Sequence, residues 1–457
     1  MKQEQVNLRQ LVMDMLLAVT VSNENRPPEY SHVIIRDVLN KYNYLSGQEK
    51  AFMKRLFEGT LERMIELDYC LDQYSKVKVQ KMKPVIRTIM RMSVYQILYM
   101  DAVPDSAACN EAVKLAGKKG FATLKGFVNG VLRTIARNKD QIPYPDKEKD
   151  YELYLSITYS MPMWIVTMWI KQLGKERTEE VLKGLLIEHP VTIRVREQDA
   201  AKLEKALQSQ GGILEKHPYL PYAYRISKTD DISRLPGYED GAFVIQDVSS
   251  MLAIEALEMK QGMKILDICA APGGKSMLAA DKLQGTGEVE ARDISEYKVT
   301  LMQENFERCN LHNVKAVCKD AVVMDESWIG QADIVIADVP CSGLGVIGKK
   351  RDIKYKMNPD AIKDIIALQE QILDKAVSYV KPYGLLLFST CTINKEENEA
   401  HAELLQNKYH MTPVSLDDTL PEVLHSETTK QGYLQLLPGI HDTDGFFISV
   451  FQKKDND

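Results

Sequence analysis

The sequence predicts a multidomain chain with an all-α N-terminal domain, a small α+β module and a doubly wound α/β domain. Its 457 residues are enough for roughly two to four domains. Apolar residues recur at helical spacing up to about residue 138. From Gly241 onward, short apolar runs alternate with helical stretches, which is the pattern of parallel strands joined by right-handed crossovers. We therefore expect domains at residues 1–140, 151–238 and 239–453.

Composition argues against several classes of protein. The formal net charge is −6, so a nucleic-acid site would have to be a local feature of the surface. The seven cysteines include no Cys-x-x-Cys pair, which argues against a zinc site and against a disulfide framework. The apolar run at residues 11–19 is interrupted by Asp14 and is too short to cross a membrane. We expect a cytoplasmic protein with no metal and no membrane partner.

The N-terminal domain is predicted from apolar positions at helical spacing in residues 6–17, 34–38, 52–65 and 86–97. Its second half carries clustered basic residues with few acids between them. These residues are Lys76, Lys78, Lys81, Lys83, Arg87, Arg91, Lys114, Lys118, Lys119, Lys125, Arg133 and Arg137. They are either solvated helix faces or a patch that binds an RNA backbone, and the residues alone leave both interpretations open.

A polar linker at residues 138–150 precedes the small module. Helices are predicted at residues 164–173, 178–187 and 200–208, and strands at 191–195 and 222–226. This mixture indicates an α+β module of the ferredoxin-like or RNA-recognition-motif-like kind. Its tyrosines could stack on bases, but we expect them to fill the core instead; they are Tyr219, Tyr222 and Tyr224.

The α/β domain opens with an apolar strand at residues 265–268, followed by a turn at Pro272, Gly273 and Gly274 and then a helix. Glycines in such a turn let backbone N–H groups approach a ligand, and a helix N-terminus favours negative charge. The turn is not a Walker A loop, because Cys269 stands where that loop needs its first glycine. The dinucleotide fingerprint Gly-x-Gly-x-x-Gly is also missing, which argues against a small-molecule dehydrogenase.

Further strands are predicted at residues 288–292, 314–318, 333–337, 385–388 and 446–451, with helices at 298–308, 359–380 and 395–408 between them. Ligands of doubly wound sheets bind beyond the carboxyl ends of the strands. Asp293, Asp320 and Asp338 each follow a strand there. Asp293 is the candidate for binding ribose hydroxyls, and a helix N-cap is its alternative or additional role. Asp320 would either accept from an adenine amine, which we favour, or cap the next turn. Asp338 follows a buried strand and needs a partner to offset its desolvation.

Two of the seven cysteines are candidates for chemistry. Cys341 and Cys391 follow strands at the ligand edge, where Lys275 and helix N-termini would lower a thiol pKa. Most cysteines in such domains are small buried hydrophobic residues. We make that prediction for Cys70, Cys109, Cys309 and Cys318.

Two families are similar to this sequence. A-C-N-E-A-V-K-L-A at residues 108–116 and G-F-V-N-G-V-L-R at 126–133 resemble the helical RNA-binding fold of the antitermination factor NusB. D-I-C-A-A-P-G-G-K-S, D-V-P-C-S-G-L-G-V-I and S-T-C-T-I-N-K-E-E-N-E resemble the motifs of RNA cytosine-5 methyltransferases. The combination is similar to the RsmB (Sun/Fmu) type, which acts on small-subunit ribosomal RNA.

The resemblance implies an S-adenosyl-L-methionine cofactor and a role for each motif residue. Cys391 would be the nucleophile, Cys341 would assist product release, and Asp338 would bind the cytosine ring nitrogen. Lys275 would contact the base or the cofactor. The implied cofactor contacts are Cys269, Ala270, Ala271, Pro272, Gly273, Gly274, Lys275, Asp293, Asp320 and Asp338.

The sequence departs from the family pattern at three places. The family commonly has Arg-His-Pro-Asp-Ile-Lys where this chain has Lys-Lys-Arg-Asp-Ile-Lys at residues 349–354, and Arg351 replaces the proline. Lys395 stands where proline is usual. Arg196 stands where the family usually has asparagine after Arg-Val, so no role is assigned there.

Two alternative functions remain. The same chemistry on transfer RNA is the first, and the NusB-like half argues against it only by resemblance. The second is a non-catalytic RNA-binding or antitermination factor with a vestigial nucleotide domain. Because both cysteines, Lys275 and three strand-end aspartates are all present, we favour the enzyme. The nucleotide that is modified, the assembly state of the RNA, the oligomeric state and any protein partner are not indicated.

Overall fold

The computed structural model describes residues 6–21, 29–188, 190–209, 211–228 and 232–455, which form two compact units. Unit 1 contains Met1–Leu186 and Ile347–Lys356, and unit 2 contains Ile187–Val346 and Met357–Asp457. This division differs from the three predicted domains. The helices that follow residue 150 belong to unit 1, and the strands that follow residue 190 belong to unit 2. The three-domain boundaries stay a prediction.

Unit 1 is built from helices, as the apolar spacing predicts. They are α1 Leu8–Thr20, α2 Ser31–Lys41, α3 Gly47–Glu62, α4 Met64–Tyr74, α5 Pro84–Tyr99, α6 Asp105–Lys118, α7 Lys125–Arg137, α8 Tyr151–Thr158, α9 Met163–Leu173 and α10 Lys175–Gly184. Local signals set several of the starts. Ser46 and Glu49 form a capping box before α3, and α5 begins at Pro84, whose missing N–H is no loss at a first helical position.

The core of unit 1 consists of side chains that are completely buried between these helices. Met13 of α1, Met53 and Phe57 of α3 and Ile89 of α5 are among them. Each contributes about 1.5–3 kcal/mol through removal of apolar surface from water. In the described part of the chain no single helix passes the length and hydropathy test for a membrane span. The bent pair α8 and α9 passes it together, by length and composition only.

Unit 2 begins with a small antiparallel sheet. Its strands are β1 Val191–Val195, β2 Ile213–Lys216, β3 Ala223–Ser227 and β4 Phe243–Ile245, in the order β2-β3-β1-β4. Helix α11 (Ala200–Ser209) connects β1 to β2, and a short turn of 3₁₀ helix connects β3 to β4 where a ferredoxin-like module would have its second helix. Tyr222 packs against an apolar cluster of unit 2, as predicted for a residue that fills the core. Its hydroxyl donates to Glu255.

The large sheet of unit 2 has eight strands in the order β10-β12-β9-β8-β5-β6-β7, with β11 paired to β12. They are β5 Lys264–Asp267, β6 Glu288–Asp293, β7 Val314–Cys318, β8 Ala332–Asp338, β9 Val380–Thr390, β10 Thr412–Pro413, β11 Tyr433–Leu436 and β12 Phe446–Gln452. The helices are α12 Val248–Glu255, α13 Gly274–Lys282, α14 Glu296–Arg308, α16 Pro359–Tyr379, α17 Glu399–Asn407 and α18 Glu427–Lys430, while α15 Ile353–Lys356 lies in unit 1.

The predicted all-parallel sheet is wrong at one edge. Strands β5 to β9 are parallel, but β12 runs antiparallel to β9 and to its hairpin partner β11. The sheet is therefore mixed. Both faces are covered, because Ile334 of β8 packs in one apolar cluster and its neighbour Val335 packs in another.

The segment Ile347–Lys356 is part of unit 1 although it lies between β8 and α16 in the chain. Arg351 forms ion pairs of 3.0 Å with Glu62 and 3.2 Å with Glu58. Asp352 is buried and accepts from the Ser31 backbone N–H at 3.1 Å. Lys354 is also buried, and its Nζ donates to the carbonyls of Glu62 at 2.7 Å and Ser160 at 2.6 Å. Polar contacts thus anchor this segment to the helices of unit 1.

Candidate active site

The turn after β5 has the conformation that its glycines predict. Gly273 has φ of +98°, a left-handed conformation that favours glycine, and it directly precedes α13. A Cβ at this position would lie 3.0 Å from Cε1 of Phe306 and 3.4 Å from Cγ of Met302. The Gly273 N–H donates to Ala270 O at 2.7 Å, and the Ala270 N–H donates to Arg292 O at 2.7 Å. The turn at residues 269–275 is therefore fixed against β6 and the helix that follows it.

Lys275 and Asp338 form the polar centre of the site. The Lys275 side chain is buried, and its Nζ lies 2.6 Å from Oδ2 of Asp338 and 5.0 Å from the ring centroid of Phe446. Ser389 Oγ donates to Oδ1 of Asp338 at 2.8 Å. The carboxylate thus has the partners that its position required. Ser389 opens the S-T-C motif, but no role was predicted for it.

The two candidate cysteines come together beside this centre. Cys341 and Cys391 are half-buried, and their Sγ atoms are 3.2 Å apart. The hydrogen bond to Cys391, together with burial, holds the pKa of the Cys341 thiol well above its usual range. The predicted lowering of a thiol pKa is therefore wrong for Cys341. Its raised pKa favours the protonated thiol, which can donate to the Cys391 sulfur.

The remaining cysteines follow the prediction with one exception. Cys70, Cys109 and Cys309 are buried. Cys318 is exposed, contrary to our expectation, because it ends the edge strand β7. Cys269, in the turn, is half-buried; burial raises the pKa of its thiol, and the carboxylates of Asp267, Asp338 and Asp293 raise it further.

The three aspartates lie at or just after the carboxyl ends of β6, β7 and β8, as predicted. Asp293 is buried, and its carboxylate accepts from Ser295 N–H at 3.1 Å and from Lys298 Nζ at 3.3 Å. Ser295, and not Asp293, is the N-cap residue of α14, so that part of the prediction is wrong. Lys319 N–H donates to Asp293 O at 3.1 Å, which brings the end of β7 and Asp320 beside Asp293. Asp320 accepts from Val322 N–H at 3.0 Å.

Asp267, the last residue of β5, is hydrogen-bonded to the helix that follows the turn. It is completely buried, and Ser276 Oγ donates to its Oδ2 at 2.6 Å. Within the described ranges, no donor meets hydrogen-bond geometry at its buried Oδ1. Burial raises the pKa of Asp267 to about 7, even though the hydrogen bond from Ser276 and the nearby Cys269 N–H act in the opposite direction.

The basic residues of the helical domain are mostly accessible. Lys76, Lys78, Lys81, Lys83, Lys114, Lys118, Lys125 and Arg137 are exposed. Arg91 differs, because it makes a bidentate pair with Asp68 at 2.6 and 2.5 Å. Lys119 is paired with Asp14 at 2.9 Å. Among the exposed residues, Lys78 pairs with Asp72 at 3.6 Å and Lys114 with Glu111 at 2.8 Å. Most of the predicted cluster is nevertheless exposed and accessible to a polyanion.

Known protein families match two separate parts of the chain, the same two parts that carry the sequence motifs. Residues 6–137 match the family model described as NusB family, and residues 254–452 match the one described as 16S rRNA methyltransferase RsmB/F. The chain is 36% identical over 448 residues to "Probable ribosomal RNA small subunit methyltransferase B" of Bacillus subtilis (strain 168), covering 97% of this chain and 99% of that protein.

The chain belongs to the RsmB family of ribosomal RNA small-subunit methyltransferases. Among solved structures, the crystal structure of PH0851 has a TM-score of 0.79 at 21% identity, covering 99% of this chain and 100% of that one. A methyltransferase homologue from Pyrococcus horikoshii has a TM-score of 0.58 at 25% identity, covering 67% of this chain and 99% of that one. The first of these likenesses concerns the fold alone.

A methyltransferase of this family needs a methyl donor, and the residues of the site fit S-adenosyl-L-methionine, the cofactor that the sequence motifs imply. The glycine turn presents backbone N–H groups before α13, and a Cβ on Gly274 would lie 3.4 Å from the Gln246 side chain. The buried carboxylate of Asp293 follows the second strand of the parallel sheet, where ribose hydroxyls are bound in such folds. When bound, the cofactor supplies an electrophilic methyl group.

Proposed function

We propose that this chain methylates C5 of one cytosine in small-subunit ribosomal RNA through a covalent adduct with Cys391. The observation that carries the proposal is the pair of sulfur atoms 3.2 Å apart, at the ends of two adjacent parallel strands. Asp338 and Ser389 are partners in the register of β8 and β9, and the cysteines follow three and two residues later. The thiols and the Lys275–Asp338 pair therefore share one edge of the sheet.

The two cysteines would divide a difficult reaction into easier steps. The cytosine C5 is a poor nucleophile until a thiolate adds to C6. Cys391 forms the S–C6 bond, and the electron pair moves to C5, which takes the methyl group. A water molecule then takes the C5 proton, the electron pair of that C–H bond forms the C5–C6 double bond, and the S–C6 bond breaks, which regenerates the Cys391 thiolate and yields 5-methylcytosine. Cys341, with its raised thiol pKa, holds a proton beside the Cys391 sulfur and assists the release step.

Asp338 would stabilise the base while this charge develops. Its carboxylate is held by Lys275 at 2.6 Å and by Ser389 at 2.8 Å, so little reorganisation is needed when the substrate arrives. The protonated ring nitrogen of the adduct would donate to it. The target base must leave any stack to reach the sulfur atoms.

RNA is the substrate that the rest of the chain supports. The exposed lysines and arginines of the helical domain offer a surface for phosphate groups, although the chain as a whole has a net charge of −6. The NusB family model covers the same helices. We propose that this domain holds folded small-subunit RNA while the α/β domain carries out methyl transfer. The predicted cytoplasmic location is consistent with that substrate.

The first test combines methyl transfer with adduct trapping. Wild type, Cys391→Ala and Cys341→Ala are incubated with labelled S-adenosylmethionine and unmethylated small-subunit RNA, with transfer RNA in a parallel arm. We expect 5-methylcytosine in small-subunit RNA from wild type and none from Cys391→Ala. Cys341→Ala should remain bound to RNA as a denaturant-resistant adduct, because product release is impaired.

The exposed cysteine provides the matched control for this test. Cys318→Ala should methylate like wild type, since its thiol lies on an edge strand. Methylation by Cys391→Ala would disprove the nucleophile assignment. Product in the transfer RNA arm alone would assign the same chemistry to transfer RNA. RNA binding without any methyl transfer by wild type would favour a non-catalytic factor.

A further inference from the structure

A buried carboxylate lies behind the two cysteine turns. Glu397 is completely inaccessible to solvent. Its Oε2 accepts from Ser342 N–H at 2.8 Å and from Gln369 Nε2 at 3.3 Å. Its Oε1 accepts from Ser342 Oγ at 2.5 Å and from Asn394 Nδ2 at 3.0 Å. Four donors thus converge on one carboxylate, and two of them belong to the residue that follows Cys341.

The same contacts reach the other cysteine. Ser342 Oγ lies 2.7 Å from Oγ1 of Thr392, the residue that follows Cys391. Gln369 Nε2 also donates to Pro340 O at 2.9 Å, which places one side chain on both Glu397 and the residue before Cys341. Ser342, Thr392 and Gln369 are all buried. The cysteine turns are therefore joined through a single buried network that has Glu397 at its centre.

The desolvation free energy of a buried carboxylate is large for a residue with a purely structural role. Burying an ionisable group costs more than burying an amide of the same shape, so a glutamine would serve if only one hydrogen bond mattered. A glutamine, however, has only one oxygen. Its NH₂ group would replace the other carboxylate oxygen and would face the donors that now bond to that oxygen. Only two acceptor oxygens satisfy Ser342 N–H, Ser342 Oγ, Asn394 and Gln369 together.

We propose that Glu397 is a positioning residue that fixes the Cys341 turn relative to Cys391 and thereby controls release of the methylated base. This inference rests on the proposed function. Because Glu397 touches Ser342 and not the reacting sulfur atoms, its effect acts through the placement of Cys341. A displacement of about 1 Å in such a site can reduce rate by roughly 100-fold.

The test compares Glu397→Gln with Glu396→Gln. The two variants make the same chemical change at adjacent positions, and the Glu396 side chain is exposed. With small-subunit RNA and labelled S-adenosylmethionine, we expect Glu397→Gln to reduce kcat by about 100-fold while the KM for S-adenosylmethionine stays that of wild type. The denaturant-resistant RNA adduct should accumulate, as in Cys341→Ala. Glu396→Gln should turn over like wild type without accumulation.

Two results would overturn the inference. One is normal turnover by Glu397→Gln; the other is a fall in turnover, adduct formation and cofactor binding in equal proportion, which would indicate a folding defect alone. If circular dichroism shows that Glu397→Gln is unfolded, Ser342→Ala decides, because it removes one hydroxyl and keeps the backbone donor. It should slow turnover with adduct accumulation, and wild-type behaviour would disprove the proposal. Absence of methyl transfer by wild type would instead refute the proposed function itself.

Discussion

Asp338 is held from two sides, by the ammonium of Lys275 and by the hydroxyl of Ser389. These two donors offset the cost of placing a carboxylate at the end of a buried strand. They also fix its orientation before any substrate is bound. A group oriented in this way stabilises developing charge without reorganisation at the moment of reaction.

Replacing Asp338 by asparagine should therefore reduce kcat by about 100- to 1,000-fold. The amide is neutral, and its NH₂ group would face either Lys275 or Ser389 in place of an acceptor oxygen. Single-turnover methyl transfer with labelled cofactor measures the effect. Asp360→Asn, at an exposed position near the start of α16, is the control and should react like wild type. Equal rates for the two variants would remove Asp338 from the mechanism.

Single residues were predictable where a strand-end rule applied to them. The rule that ligands bind at the carboxyl ends of parallel strands selected Asp293, Asp320, Asp338, Cys341 and Cys391. The rule also located Ser389 at the end of the fifth predicted strand but assigned it no role, and it could not select Glu397. Their importance depends on strand register and on side chains that meet across the fold, and neither is visible in apolar periodicity.

The element that most constrains the cofactor site is the turn between β5 and α13. Gly273 has a left-handed conformation there, and a Cβ would make tight contacts of 3.0 Å with Cε1 of Phe306 and 3.4 Å with Cγ of Met302, both in α14. A side chain at this position would move either the turn or the helix. The turn carries the backbone N–H groups of Gly273, Gly274 and Lys275, which we expect to face the cofactor.

Gly273→Ala should destabilise the protein by about 1–3 kcal/mol and weaken cofactor binding. Gly285→Ala is the matched control, because Gly285 also has positive φ, of +75°, but among the described residues beyond its chain neighbours no atom lies within 4 Å of its Cβ position. Urea unfolding and calorimetric titration with S-adenosylmethionine would measure the two effects. Cofactor affinity should fall only in Gly273→Ala; an equal loss in both variants would mean that backbone strain, and not the local contact, is responsible.

Whole elements were predicted well where they are long and strongly patterned. The apolar spacing located the helices of unit 1, and β7 begins and ends as predicted. The direction of β12 was not predictable, because an apolar run looks the same in a parallel and an antiparallel strand. Strand β2 was missed because its four residues are half-buried or exposed and show no apolar run.

At the scale of the whole molecule, the segment Ile347–Lys356 makes unit 1 discontinuous in the sequence. Contact grouping assigns it to unit 1, although its neighbours in the chain belong to unit 2. Arg351, which replaces the proline of the family pattern, pairs with Glu58 and Glu62. This departure from the family therefore provides an ion pair within the helical unit.

Lys354 in this segment predicts a pH dependence of stability. Burial lowers the pKa of Lys354 to about 7, and a neutral amine still has two donors for the carbonyls of Glu62 and Ser160. Between about pH 7 and the ordinary lysine pKa of 10.5, the unfolded chain binds a proton that the folded chain does not. The free energy of unfolding should therefore rise with pH in this range, and the contribution should be constant below it.

Lys354→Met should remove that rise, while the exposed Lys350→Met should retain it. Chemical unfolding of the full chain at several pH values between 6 and about 9.5 would measure the slope. The methionine variant should also be less stable at every pH, because two buried carbonyls lose their donor. An unchanged slope in Lys354→Met would show that the wild-type dependence arises from another group.

Because unit 1 consists of two separate stretches of the chain, it can be completed only late in synthesis. Residues 187–346 separate its helices from its last ten residues. A ribosome that adds about 5–20 residues per second needs roughly ten to thirty seconds to travel from Leu186 to Lys356. During this interval the nascent helical unit lacks Arg351 and Asp352. Its last contacts form only after the strands β5 to β8 of the catalytic sheet have been made.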